Sequence, residues 1–181
     1  FKVINQMKEE GKLPNIRKLE QNGVSTSLET PEAFSPQSWT KMATGMSTEN
    51  ISINRSWTYK TDGGSSKRLD SGAVDNRRFW SYLNEDGVDT GVYHWMMTWP
   101  VEPVKGFMVS SYLSGNLDEM TFPDDIGISD EKVKSSLVLF EVYEVADELT
   151  EEYYGMDVLV YGFSVSDRMQ HSFWKYLDES N

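Results

Sequence analysis

No cysteine occurs anywhere in the 181 residues. Disulfides and thiolate-held metals are therefore excluded, and any metal must take carboxylate, imidazole, hydroxyl or water ligands. Histidine is nearly as scarce, with only His94 and His171. Basic residues are few, 17 Lys and Arg against 29 Asp and Glu, for a formal charge of -12. That charge repels phosphate backbones and anionic membrane surfaces, and no basic run offsets it, so a nucleic-acid polymer is not an expected partner. No apolar stretch approaches the roughly 20 residues of a membrane helix, and no segment has the charged start and apolar core of a secretory leader. The first residue is Phe1 rather than Met. The chain is therefore expected to begin inside a longer product, where a leader or anchor would not be visible, and the compartment stays open.

What is present suits a folded globule. Apolar residues make up 38% and aromatics 13%, with six Trp, which is too much buriable surface for a disordered tail. The length fits one domain or a large part of one. Val3, Ile4 and Met7 form a helix-like stripe that Gly11 can stop, and Pro14 opens a second short helix that ends at Asn22-Gly23. "VSTSLET", residues 24–30, alternates like a strand, and Pro36 starts a helix through about Ala43 that Gly45 closes. Residues 46–76 are rich in Ser, Thr, Asn, Gly and Asp and read as a mobile polar excursion, with a short strand near Trp57. Beyond it come a helix in "RRFWSYLNEDG", a buried strand in "DTGVYHWMMTW", a second short strand in "KGFMVSS", a long helix from Asp130 to about Glu152, and a buried strand in "MDVLVYGF". Helices alternating with strands predict a layered α/β fold, read as a single α/β domain over residues 1–181. The acidic residues of the long helix read as a solvated face rather than a metal cluster.

Two short patterns carry chemistry. In "FSPQSWTKMATG", residues 34–45, Ser35 stands directly before the proline of a helix start, where it either caps the helix or is held out as a nucleophile. Asp167 and His171 are four residues apart just after the last strand, so one helical turn would direct both to one side, either as metal ligands or as an N-cap and an unrelated imidazole. A catalytic zinc commonly takes three protein ligands, and this pair supplies two. His94 lies in a Trp- and Met-rich strand, where a core role competes with ligation. Two Asn-x-Ser patterns, at Asn50 and Asn54, would accept glycans only in a secretory pathway. Trp57, Trp95 and Trp99 either wall a base or sugar pocket or belong to cover and core.

Taken in order, "EEGKLPNIRKLEQNGV", "FSPQSWTKMATG", "GVYHWMMTWPVEPVKGFMVSS" and "DVLVYGFSVSDRMQHSFWKYLD" resemble the type I phosphodiesterase/nucleotide pyrophosphatase family of the alkaline phosphatase superfamily. The resemblance implies an alkaline-phosphatase-like layered fold, a central mostly parallel sheet flanked by helices and incomplete at both ends. It implies two divalent metal ions, commonly zinc with manganese as the alternative. It carries Ser35 onto the family's nucleophile, which is also a metal ligand, and Asp167 and His171 onto the ligands of one metal. Asn54 is the candidate for its phosphate-contacting residue. The implied substrate is a small phosphodiester or nucleotide-like molecule, hydrolysed through a covalent phosphoserine. The family's early metal-binding Asp is expected before Phe1, and its later Asp-His pair and further His after Asn181. Departures keep rivals open. "MSTENISINRS" stands where the family often has a His-Gly step, and the short connection from Pro123 to Asp130 implies a reduced cap. The rivals are a catalytically silent binding protein on the same scaffold and a sulfatase-like or phosphomutase-like relative.

Overall fold

The computed structural model describes residues 2–27, 29, 34–111, 117–136 and 142–163. It divides into two compact units, residues 1–31 and 32–181.

The first unit is a pair of short helices, α1 (Lys2–Glu9) and α2 (Pro14–Gln21). Gly11 takes a positive φ of 72° between them, and Pro14 stands in the first turn of α2, where its missing N–H costs nothing. Lys8 Nζ bridges both carboxylate oxygens of Glu20 at 2.6 and 2.7 Å. The strand expected over residues 24–30 is not formed by the described part of that segment, which runs as irregular chain. A period-two pattern without a partner strand does not make a sheet.

The second unit is a mixed α/β structure. Its helices are α3 (Ser35–Thr44), α4 (Phe79–Glu85), α5 (Asp130–Ser136) and α6 (Val142–Glu152). Residues 137–141, which would join α5 and α6 into the expected long helix, lie outside the described residues. Its strands are β1 (Thr58–Lys60), β2 (Ser66–Arg68), β3 (Thr90–Trp95), β4 (Gly106–Ser110), β5 (Thr121–Phe122) and β6 (Val158–Tyr161). The main sheet has the order β5-β4-β3-β6, with β3 parallel to both β4 and β6 and β5 antiparallel to β4. β1 and β2 form a separate antiparallel hairpin. The two-residue edge strand β5 was not visible in the sequence, where it is too short to show a pattern.

Every residue of β3 is buried, as expected of a central parallel strand covered on both faces. Alternation sends Tyr93, Phe107 and Val109 to a cluster with Val133 of α5 and Val145 and Leu149 of α6. Val92 and Met108 point the other way, into a cluster with Ala43 of α3 and Trp80 of α4. The described acidic residues of α6 are largely exposed, the solvated face expected of them.

A bulge at the end of β3 decides where α3 sits. Tyr93 pairs with Val109 and Trp95 with Ser110, so His94 is an extra residue in β3, and it takes a positive φ of 55°. The extra residue turns Trp95 back to the side of Val92. There its ring meets Trp39 of α3 edge-on at 4.8 Å and its Nε1 donates to the Trp39 carbonyl at 3.3 Å.

The polar excursion is not a free loop over its described length. Ile51, Ile53, Leu69 and Ala73 are buried in a third cluster with Met96 and Met97, just beyond the end of β3. Four apolar residues spaced through a polar stretch are too sparse to show a period, yet each is at most 8% exposed.

Candidate functional site

Four segments converge at the carboxyl ends of the parallel strands, the edge where open α/β sheets hold ligands. The first is the start of α3. Its N-cap residue is Phe34, in extended conformation with φ -113° and ψ 104°, so Ser35 is the first helical residue and not the cap. Pro36 has no N–H, and the N–H groups of Gln37 and Ser38 turn back to the Phe34 carbonyl at 3.1 and 3.2 Å. Ser35 is exposed at this open end, and its hydroxyl makes no hydrogen bond with the described residues. The helix dipole there favours an anionic group.

Segment 51–57 is the second. Gln37 Nε2 donates to the Ile53 carbonyl at 2.8 Å in a buried bond, which ties the first turn of α3 to the residue before Asn54. Phe34 and Trp57 rings meet edge-on at 5.2 Å on the same side. Asn54 is exposed. Trp57, half exposed, serves as a cover over Phe34, while Trp95 is core.

The third and fourth segments are the ends of β3 and β6. His94 and Met97, at φ 55° and 69°, are both left-handed, a conformation that costs a non-glycine residue energy and clusters at functional sites. His94 is 5% exposed, and its ring stacks on Tyr93 at 4.0 Å. Gly162, directly after β6, lies so close to them that an added Cβ would stand 2.6 Å from the His94 carbonyl oxygen and 3.2 Å from Trp39. Trp39 is one helical turn beyond Ser35. The strand that continues in sequence toward Asp167 therefore ends against the helix that begins at Ser35. Asp167 and His171 themselves lie outside the described residues.

Two buried polar atoms on α3, Gln37 Oε1 and Thr40 Oγ1, have no partner among the described residues. Sequence reasoning missed Gln37, Trp39 and Gly162, because the side-chain types are unremarkable and only their neighbours give them a role. The one available signal was the glycine ending "VLVYG".

Beyond Asn54 opens a polar cleft of about 650 Å³ between segment 52–56, the β1–β2 hairpin and residues 72–75. Across it Ser52 Oγ donates to Asp75 Oδ2 at 2.5 Å. Tyr59 donates to Asp70 Oδ1 at 3.0 Å, and burial first, then Asp70, holds its phenol above the ordinary range. Beside the cleft a nearly buried Arg78 pairs with Glu102 at 3.2 Å and donates to the Ser71 carbonyl at 3.1 Å. Burial lowers the Arg78 pKa against the pull of Glu102. No group of three or more His, Asp or Glu side chains able to hold a metal ion occurs among the described residues.

A comparison with curated proteins and with solved structures returned no match. A family profile, type I phosphodiesterase / nucleotide pyrophosphatase, matches residues 1–180. The chain belongs to the type I phosphodiesterase / nucleotide pyrophosphatase family, whose activity is the hydrolysis of phosphoric esters.

Proposed function

We propose that the protein is a metal-dependent phosphodiesterase of nucleotide pyrophosphatase type in which Ser35 is the nucleophile. The observation that carries this reading is Ser35 itself, exposed at the open end of α3 with no hydrogen bond to a described residue and not used as a cap. The approach of Gly162 to Trp39 supports it, since that contact brings the strand leading to Asp167 and His171 against the same helix.

The Ser35 oxygen attacks phosphorus, forms a Ser–O–P bond and expels one alcohol, which takes up a proton. Water then cleaves the covalent phosphoserine ester, releasing a phosphate monoester and restoring the hydroxyl. The Asn54 amide donates to a non-bridging phosphoryl oxygen, kept near by the Gln37–Ile53 bond. Ser35, Asp167 and His171 offer hydroxyl, carboxylate and imidazole donors, a set that suits zinc or manganese. Two divalent ions, when bound, supply Lewis acidity that lowers the hydroxyl pKa and offsets phosphoryl charge. The scaffold in this reading is an alkaline-phosphatase-like layered domain.

The test is hydrolysis of bis(p-nitrophenyl) phosphate with zinc or manganese by the protein and by Ser35→Ala and His171→Ala. Turnover falls to the uncatalysed background in Ser35→Ala, and mass spectrometry of the quenched wild-type reaction finds the phosphoryl adduct on Ser35. Undiminished turnover in both variants overturns the mechanism.

A further inference from the structure

The cleft beyond Asn54 has a chemistry that names one arm of the substrate, an inference that rests on the phosphodiesterase reading. Its lining carries six hydroxyl side chains, Ser52, Ser56, Thr58, Tyr59, Thr61 and Ser66. Ser52, Tyr59 and Thr61 donate their protons to protein acceptors and Ser56 and Thr58 share one bond, so the hydroxyls present chiefly acceptor oxygens to a ligand, with Ser66 and the Asn54 amide as donors. Among the described residues Tyr59 is the only aromatic one lining it, and its hydroxyl is already committed to Asp70.

Charge narrows the choice further. Among the described residues, Asp62 and Asp75 line the cleft against a single ammonium, Lys60, which turns to the Gly64 carbonyl at 3.5 Å within its own hairpin. A second phosphate on that arm would meet two carboxylates, so the arm is not anionic. Asp75 is oriented by Ser52 through Oδ2, while its Oδ1 has no partner among the described residues and is left to accept from a ligand hydroxyl. The geometry points to a hydroxyl-rich, non-anionic alcohol that carries no base, glycerol or a simple polyol, as the group esterified to the phosphate that Asn54 contacts, seated between Asp75 and the β1–β2 hairpin.

The experiment compares kcat/KM for the p-nitrophenyl esters of glycerol 3-phosphate and of thymidine 5′-phosphate, with bis(p-nitrophenyl) phosphate as reference. The glycerol ester is preferred over the thymidine ester. Asp75→Ala lowers the ratio of glycerol ester to reference by about tenfold, a hydrogen bond to a charged group, mostly through KM. Ser52→Ala lowers it less, and its milder perturbation guards against a folding defect in the first variant. Preference for the thymidine ester, or an equal loss on all probes in both variants, overturns the proposal. Absence of turnover on every probe is a failure of the phosphodiesterase reading instead. Calorimetric titration with glycerol methyl phosphodiester then decides the cleft. Binding weakened by Asp75→Ala upholds it, and binding unchanged or absent overturns it.

Discussion

Gly162→Ala tests the contact on which the site depends. Gly162 follows β6, and its N–H donates to the Tyr93 carbonyl at 2.8 Å. An alanine Cβ there would stand 2.6 Å from the His94 oxygen, 3.1 Å from the His94 carbonyl carbon and 3.2 Å from the Trp39 ring. Ordinary carbon–oxygen contact begins near about 3.3 Å, so something must move by about 0.7 Å. Neither neighbour yields easily. The His94 carbonyl belongs to the bulge of a fully buried strand, and Trp39 is held by the Trp95 ring and its hydrogen bond. Overpacking of this kind costs about 1–3 kcal/mol, which for a domain of this size lowers Tm by roughly 2–12 °C. Thermal and urea unfolding measure it, with Gly63→Ala as control. A Cβ at Gly63 meets only Thr61 Oγ1, at 4.0 Å. If Gly162→Ala costs less than about 0.5 kcal/mol, like an ordinary surface substitution, the close approach of β6 to α3 is wrong. Diester turnover should fall beyond what the fraction unfolded explains, because the displaced strand is the one that leads to Asp167.

Among the described residues, Glu102→Ala leaves Arg78, 8% exposed, with only the Ser71 and Met97 carbonyls as acceptors and removes the acceptor of Trp80 Nε1. The expected loss is about 2–4 kcal/mol in urea unfolding, below the range for a fully buried pair because Glu102 is partly exposed; a loss under about 1 kcal/mol contradicts the assignment. Alkaline pH should destabilise the fold. Tyr59, Tyr153 and Tyr161 are all held above the ordinary phenol range, burial being the first cause in each. The folded state therefore keeps protons that the unfolded chain releases near pH 10, so the contribution is whole below that pH and is lost as pH rises through the folded values. Melting temperature followed from pH 8 to 11.5 should fall above about pH 10, and Tyr59→Phe should flatten the fall; a flat wild-type profile refutes it.

The helices and the buried strands were legible because their signals are local. Pro14 and Pro36 mark helix starts, Gly45 closes α3 at φ 69°, and the largely apolar runs of β3 and β6 announce strands, of which β3 is buried throughout while β6, expected to be buried, is only half-buried. The segment 24–30 misled because alternation states only a preference, and a strand needs a neighbour. The excursion misled for the opposite reason. Its four anchoring apolar residues fall in two pairs, Ile51 with Ile53 and Leu69 with Ala73, on either side of the hairpin, and meet over Met96 and Met97.

For the site, the sequence alone determined the types of chemistry on offer. It supplied a hydroxyl before a helix-starting proline, an Asp and a His four residues apart, no thiol, and a family likeness running through nearly the whole chain. Whether Ser35 caps its helix or stands open was undecidable from those letters, since both uses want the same residue in the same place. Tertiary structure decided it by seating Phe34 as the cap. It decided the placement of α3 as well, through one extra residue in β3 that turns Trp95 toward Trp39, and through a glycine whose missing side chain lets β6 reach them. A residue's chemical capacity is written in its own atoms. Its position depends on contacts among residues distant in sequence, and no local pattern encodes those.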